Sequence, residues 1–187
     1  LVISNLEPDQ LSITTLEDIW QGPTAVIPYP NGIQLTIRSS STSDTLLGIG
    51  IRIIELHYLD TNYDQQIEFI NMNGTTLVNT VATNIQRVQN MHAYTVGSNG
   101  VSVGNISLLN TAGTVTYDYI EAGGNQSLSE FFTIPNKKVG YLTGWYGSST
   151  SGPCTLRLRL TRNRHNGQYL PGVFIYHDVI NLNDSSS

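Results

Sequence analysis

The sequence predicts an all-β protein, an antiparallel β-sandwich that is jelly-roll-like, with an irregular N-terminal arm. Three observations predict it. From Ile33 onward, apolar residues recur with a period close to two, as in half-buried strands. The segments between these runs are rich in Gly, Asn and Ser, the residues that supply turns. Charged residues make up only 12% of the chain, against about 25% in typical globular domains, and Ser, Thr and Asn carry the polarity instead. Those side chains compete with the backbone for hydrogen bonds and so suit turns and strand faces better than helix interiors.

At 187 residues the chain can bury a sizeable core without disulfide staples. Residues 1–30 read as an arm, 31–180 as the sandwich domain and 181–187 as a flexible tail. The arm holds four of the seven prolines and shows no long alternation. Within it, TTLEDIW has a capping Thr and an acidic first turn, which predicts a short helix. Leu35 and Ile37 then open the first strand, and SSSTSD is a loop. Ile49, Ile51 and Ile53 share one face. At Ile54 the phase slips to Ile54, Leu56 and Tyr58, which predicts a β-bulge or a strand buried on both sides.

DTNYDQ is a turn before the strand of Ile67 and Phe69, and Asn73-Gly74 signals a hairpin. IQRVQNMHAYTV, residues 85–96, is a long alternating strand. GSNG turns the chain into the strand VSVGNISLL, and NTAG turns it into TVTYDYI, with Val115, Tyr117 and Tyr119 on one face. FFTIP reads as a short strand closed by Pro135, and VGYLTGWYGS as another. Leu156, Leu158 and Leu160 alternate with Arg157, Arg159 and Thr161, and VFIYHDVI is the last strand. Nine or ten strands spaced this way describe a sandwich or jelly roll.

Composition also excludes function classes. A net charge of -5 and a pI near 5.2 give the chain as a whole no attraction for nucleic acid. No apolar run is long enough to span a bilayer, so no membrane partner is expected. Cys154 is the only cysteine, which rules out an intrachain disulfide and fits folding in a reducing compartment.

Two short motifs invite a chemical reading. Gly100-Val101-Ser102-Val103-Gly104 matches the G-x-S-x-G elbow of serine hydrolases. That elbow needs a strand, a sharp turn and then a helix, whereas the residues after Ser102 read as strand. Ser102 is therefore read as a strand serine. Asp60-Thr61-Asn62-Tyr63-Asp64 has the start of a calcium loop, but Gln65 and Asn71 stand where that loop needs Gly and Glu. It is read as a polar hairpin loop with Asx-turns. The four histidines show no ligand spacing along the chain and Cys154 has no sulfur partner. No catalytic residue, metal ligand or cofactor is expected.

The candidate interaction residues are of two kinds. Leu16, Ile19 and Trp20 belong to an apolar stretch of the arm that should not stay bare, so residues 1–30 are expected to cross an intersubunit boundary. Arg157, Arg159, Arg162 and Arg164 are the one concentration of positive charge. They read either as the solvated face of an edge strand or as a contact with an acidic neighbour or anionic glycan. Tyr141, Trp145 and Tyr146 read either as core or intersubunit residues or as a sugar-stacking surface.

The segments SSSTSDT, GIGIR, YLDTNYDQQIE, NGTTLVNT, QRVQNM, GSNGVSVGNI, AGGNQSL and FFTIPNKKVGYLTGWYGS succeed one another from Ser39 onward. In that order, and over roughly Ser39 to Tyr176, the chain resembles β-rich virion structural proteins, capsid- or tail-associated, of tailed phages and large algal DNA viruses. The N-terminal 30 residues lie outside the resemblance. Members of that group carry Asn where this chain has Ser102, which implies a polar turn or strand position. They carry more Lys after the tryptophan segment, where this chain has Arg.

The resemblance implies a non-enzymatic component located in the virion: a minor capsid, cement or decoration protein, or a tail or neck component. Its implied partners are the major capsid or tail proteins of the same particle and further copies of itself, a trimer above all. The alternative is a receptor-binding, lectin-like module that recognises host-surface glycans through Tyr141, Trp145 and Tyr146.

Overall fold

A computed structural model describes residues 19–24, 27–144, 146–147, 154–161 and 174–182 of the chain. Among the described residues there is no helix, and every strand pairing is antiparallel. The strands are β1 (Leu35–Ser39), β2 (Ile51–Asp60), β3 (Gln65–Asn71), β4 (Val78–Asn79), β5 (Ile85–Val96), β6 (Ile106–Asn110), β7 (Thr116–Ile120), β8 (Cys154–Thr161) and β9 (Phe174–Leu182). They fall into two compact units. One is Thr15–Tyr141, and the other joins Leu1–Thr14 to Leu142–Ser187.

The first unit is a β-sandwich. One sheet runs β4-β1-β6-β7 and the other β3-β2-β5. Their inner faces share one apolar core: Leu35, Ile37, Ile106, Leu108 and Ile120 from the four-stranded sheet meet Ile51, Ile54, Leu56, Ile85 and Met91 from the three-stranded one. Each fully buried aliphatic side chain of this kind contributes about 1.5–3 kcal/mol relative to exposure. The finer jelly-roll order is not traced by these seven strands, since a jelly roll arranges eight strands as two Greek keys. In the second unit β8 and β9 pair with each other along their whole length, from Cys154 opposite Leu182 to Thr161 opposite Phe174.

Several local expectations hold. The phase slip at Ile54 is a register irregularity between Ile53 and Ile54 in the pairing of β2 with β5. NTAG closes a true hairpin between β6 and β7. There the Asn110 side-chain oxygen accepts the N–H groups of Thr114 and Val115, at 2.8 and 3.1 Å.

Others are corrected. Asn73-Gly74 does not join paired strands, because β3 and β4 belong to different sheets. Gly74 has φ of 61°, but Asn73 is not in the left-handed region, so the turn lacks the two positive φ values of a type I′ hairpin. Contacts with the 40–45 loop hold it instead. Gly74 N–H donates to the Asp44 carbonyl at 2.7 Å, and Asn73 bridges to Thr45.

FFTIP and VGYLTGWYGS do not form strands over their described residues. Around Thr133 the partner is a side chain: the Gln89 amide donates to the Thr133 carbonyl and accepts its N–H. The edge of β5 is already occupied by residues 125–127, with Ala93 N–H donating to Asn125 and Ser127 N–H to Met91. In β7, the buried residues are Tyr117, Asp118 and Ile120, while Tyr119 is only half-buried.

The described part of the arm lies on its own unit. Trp20 and Ile27 are buried, Trp20 bridges to Ser129, and Glu130 N–H donates to the Ile19 carbonyl at 2.9 Å. The short helix expected over TTLEDIW falls mostly outside the described residues, and its last residue, Trp20, is a β-bridge.

Candidate functional site

The outer face of the three-stranded sheet is the most chemically loaded surface. Alternation along β2 turns Ile54, Leu56 and Tyr58 into the core. It therefore turns Glu55 and His57, two residues apart, to the same outer side. The register then sets Glu55 opposite His92 of β5 on one flank and opposite Phe69 of β3 on the other. His57 stands opposite Asn90 and Ile67 in the same way.

This pairing brings together three side chains of the kinds that can ligate a metal. His57 Nε2 lies 2.7 Å from Glu55 Oε1, and His92 Nε2 lies 3.4 Å from Glu55 Oε2. The two imidazole rings are 5.4 Å apart and tilted by 33°. Phe69 and Tyr94, both more than half exposed, meet across β2 with ring centroids 4.6 Å apart. The lower part of the same face is covered instead: Arg87 is buried with its guanidinium over the rings of Tyr29 and Tyr63, and Tyr29 packs on Phe131.

His57 and His92, which show no ligand spacing along the chain, meet Glu55 in the fold. One signal was available, because E-x-H on a strand places both side chains on one face. The third member could not be read, since His92 joins only through the register of β2 with β5.

Ser102 lies in irregular chain, four residues before β6 begins, and not in a strand as expected. The next element along the chain is β6, not a helix. The buried Ser102 hydroxyl donates to the Glu121 carbonyl at 3.0 Å, and its own N–H and C=O pair with Gly124 and Gly123. That is the bonding of a structural serine. Ser102→Ala is expected to lower stability by about 1 kcal/mol, one buried hydrogen bond, as read by urea unfolding. A fluorophosphonate adduct on Ser102 would overturn this reading.

The Asp60 loop is an Asx-turn that closes the β2–β3 hairpin. Asp60 Oδ1 accepts the N–H groups of Asn62 and Asp64 at 2.8 and 3.1 Å. Tyr63 takes the left-handed conformation the tight turn demands, with φ of 61°.

The expected interaction residues separate. Ile19 and Trp20 contact their own unit, while Leu16, Arg162 and Arg164 lie outside the described residues. Arg157 and Arg159 sit in β8 opposite Val179 and Tyr176. Tyr141 and Tyr146 are exposed, and Trp145 lies outside the described residues. The irregular segment from Phe132 to Tyr141 carries four large apolar side chains in the open: Phe132 at 68%, Ile134 at 47%, Val139 at 74% and Tyr141 at 84% exposure. A polar hollow on the other sheet lies by Arg38, Thr75 and Asn105, whose amide oxygen already accepts the Ala122 N–H.

The sequence matches no protein-family model, no curated protein and no solved structure.

Proposed function

We propose that this chain is a non-enzymatic structural subunit of a virion, a minor capsid, cement or decoration protein or a tail or neck component. In this reading the sandwich is a rigid building block, and the Phe132–Tyr141 segment is its contact with neighbouring structural proteins of the same particle or with further copies of itself. The observation that carries the reading is the exposure of Phe132, Ile134, Val139 and Tyr141 on one ten-residue stretch. Apolar side chains clustered in this way mark protein contacts, because leaving them in water forfeits the free energy of their burial. The resemblance to virion structural proteins includes this same stretch, FFTIPNKKVGY.

Val139→Ser with Tyr141→Ser is expected to leave the far-UV circular dichroism unchanged while abolishing higher-mass species in light scattering and incorporation into particles. Assembly equal to that of the parent chain would overturn the proposal. An N-terminal deletion probes the arm separately. It should stop at residue 18, because removing Trp20 and Ile27 strips buried side chains from the sandwich itself.

A second reading, glycan recognition, draws on the exposure of Tyr141 and Tyr146. Saturable binding on a glycan array, lost in Tyr141→Ala, distinguishes it from assembly.

A further inference from the structure

We propose that Glu55, His57 and His92 form a binding site for one divalent transition-metal ion, zinc above all, that pins β2 to β5 on the outer face of the sandwich. The donor atoms of the three side chains all lie within 4.8 Å of one another. Tetrahedral zinc, with bonds of about 2.0–2.1 Å to nitrogen and about 2.0–2.2 Å to oxygen, holds neighbouring donors about 3.3 Å apart. The Glu55 contacts at 2.7 and 3.4 Å bracket that spacing. The two contacts reach different oxygens of Glu55, so closing the triangle around an ion calls for rotation of these side chains on their strands.

Chemistry selects the ion. Two imidazoles and one carboxylate are the donor set of zinc and its first-row neighbours. Magnesium and calcium prefer shells built entirely of oxygen. One carboxylate among two neutral imidazoles also leaves a divalent ion with net positive charge, which suits water or an anionic group at the remaining position.

The surroundings support a built site. All three residues stand on paired strands, so the β2–β5 register fixes their spacing more tightly than a loop would. Glu55 and His57 keep only 17% and 22% of their side-chain surface exposed, and His92 keeps 39%. The ion would thus be partly desolvated yet open to solvent on one side. Three protein ligands and one open position are the pattern of zinc sites that bind an exchangeable fourth ligand. The site does not depend on the virion reading and is tested without it.

The experiment uses the full chain without an affinity tag, stripped with a chelator and titrated with zinc chloride by calorimetry. One ion per chain is expected. Zinc should also raise the melting temperature, because the ion binds the folded register and not the unfolded chain. Cobalt chloride should give visible absorption bands of a low-coordinate nitrogen- and oxygen-ligated ion. His57→Ala and His92→Ala are each expected to weaken zinc binding by tenfold or more and to remove the thermal shift. His165→Ala should change neither.

A second measurement avoids the variants altogether: in the parent chain, zinc should shift the imidazole NMR resonances of His57 and His92. Absence of stoichiometric binding overturns the proposal. So does binding that survives both variants, or zinc shifts confined to His165 and His177. The triad would then be a carboxylate hydrogen-bonded to two imidazoles and nothing more.

Discussion

Asp44→Ala is expected to destabilise the sandwich by about 4 kcal/mol, a large share of the roughly 5–15 kcal/mol that holds a domain of this size together. The Asp44 side chain is fully buried and sits at a junction of three segments. Its Oδ2 accepts the Ser39 hydroxyl at 2.6 Å and the Gly104 N–H at 2.8 Å. Its Oδ1 accepts Ile51 N–H at 2.8 Å and Val103 N–H at 3.0 Å. One carboxylate therefore ties the end of β1 to the start of β2 and to the chain that enters β6, joining the two sheets at one end.

Hydrogen bonds to a charged acceptor contribute about 1.5–3 kcal/mol each, and a buried N–H left without a partner costs about 1–3 kcal/mol. Three backbone donors lose their acceptor in the alanine variant. The sum is not additive, because water enters the space and satisfies some of them. Asp44→Asn keeps one acceptor oxygen but turns an N–H₂ group towards N–H donors, so about 2 kcal/mol is expected. Ser39→Ala removes a single bond and should cost about 1 kcal/mol. Gly50 belongs to the same junction, since a Cβ there would lie 2.0 Å from Asp44 Oδ1. Urea unfolding of the parent and the three variants tests the order. A loss below 1 kcal/mol for Asp44→Ala would refute the account.

The strands that hold this junction were legible, while the junction itself was not. IQRVQNMHAYTV coincides with β5 from end to end, although Ile85 to Gln89 are all buried and the core residues Ile85, Val88 and Met91 stand three apart. Register irregularities in the pairing with β2 break the strict alternation. The slip at Ile54 was legible for the same reason: a register irregularity shifts the phase of the apolar residues. SSSTSD reads as a loop, and after Ser39, the last residue of β1, it is one. Composition cannot say which of its hydroxyls and carboxylates turns inward, so Asp44 stayed hidden among its neighbours. Asn73-Gly74 misled because turn chemistry specifies a local bend and not the sheet in which the next strand pairs. FFTIP misled because β propensity reports a side chain's fit to a pleated surface, whereas Gln89 and residues 125–127 had taken the available partners. The Glu55–His57–His92 cluster was half legible: the strand period gives its first pair, and only tertiary register gives the third member.

Stability is expected to fall as pH rises from about 4 to about 7, and Asp118→Asn is expected to remove most of that fall. Asp118 stands opposite Leu108 in the β6–β7 pairing, and its side chain is fully buried. Oδ1 accepts the Tyr119 N–H at 2.9 Å, and Oδ2 makes no hydrogen bond. Burial pushes the carboxyl from its usual 3.8 up to about 7. The Tyr119 N–H on Oδ1, with the Ser127 hydroxyl and the Met91 N–H close by, favours the charged form but offsets only part of that push.

Proton counting sets the sign. Between the unfolded and folded pKa values the folded chain holds the proton and the unfolded chain does not, so raising the pH favours unfolding. The favourable protonated state is complete below about 4, and the penalty for burying the ionised form is complete above about 7. At 1.36 kcal/mol per pH decade, the whole effect is on the order of 4 kcal/mol. Asn has nearly the shape of the protonated acid and does not titrate. The variant should therefore match the parent near pH 4 and exceed its stability by a few kcal/mol at pH 8. Comparing the two chains at each pH cancels the contribution of every other titrating group. Parallel pH profiles for parent and variant would show that Asp118 ionises in the folded chain as readily as in the unfolded one.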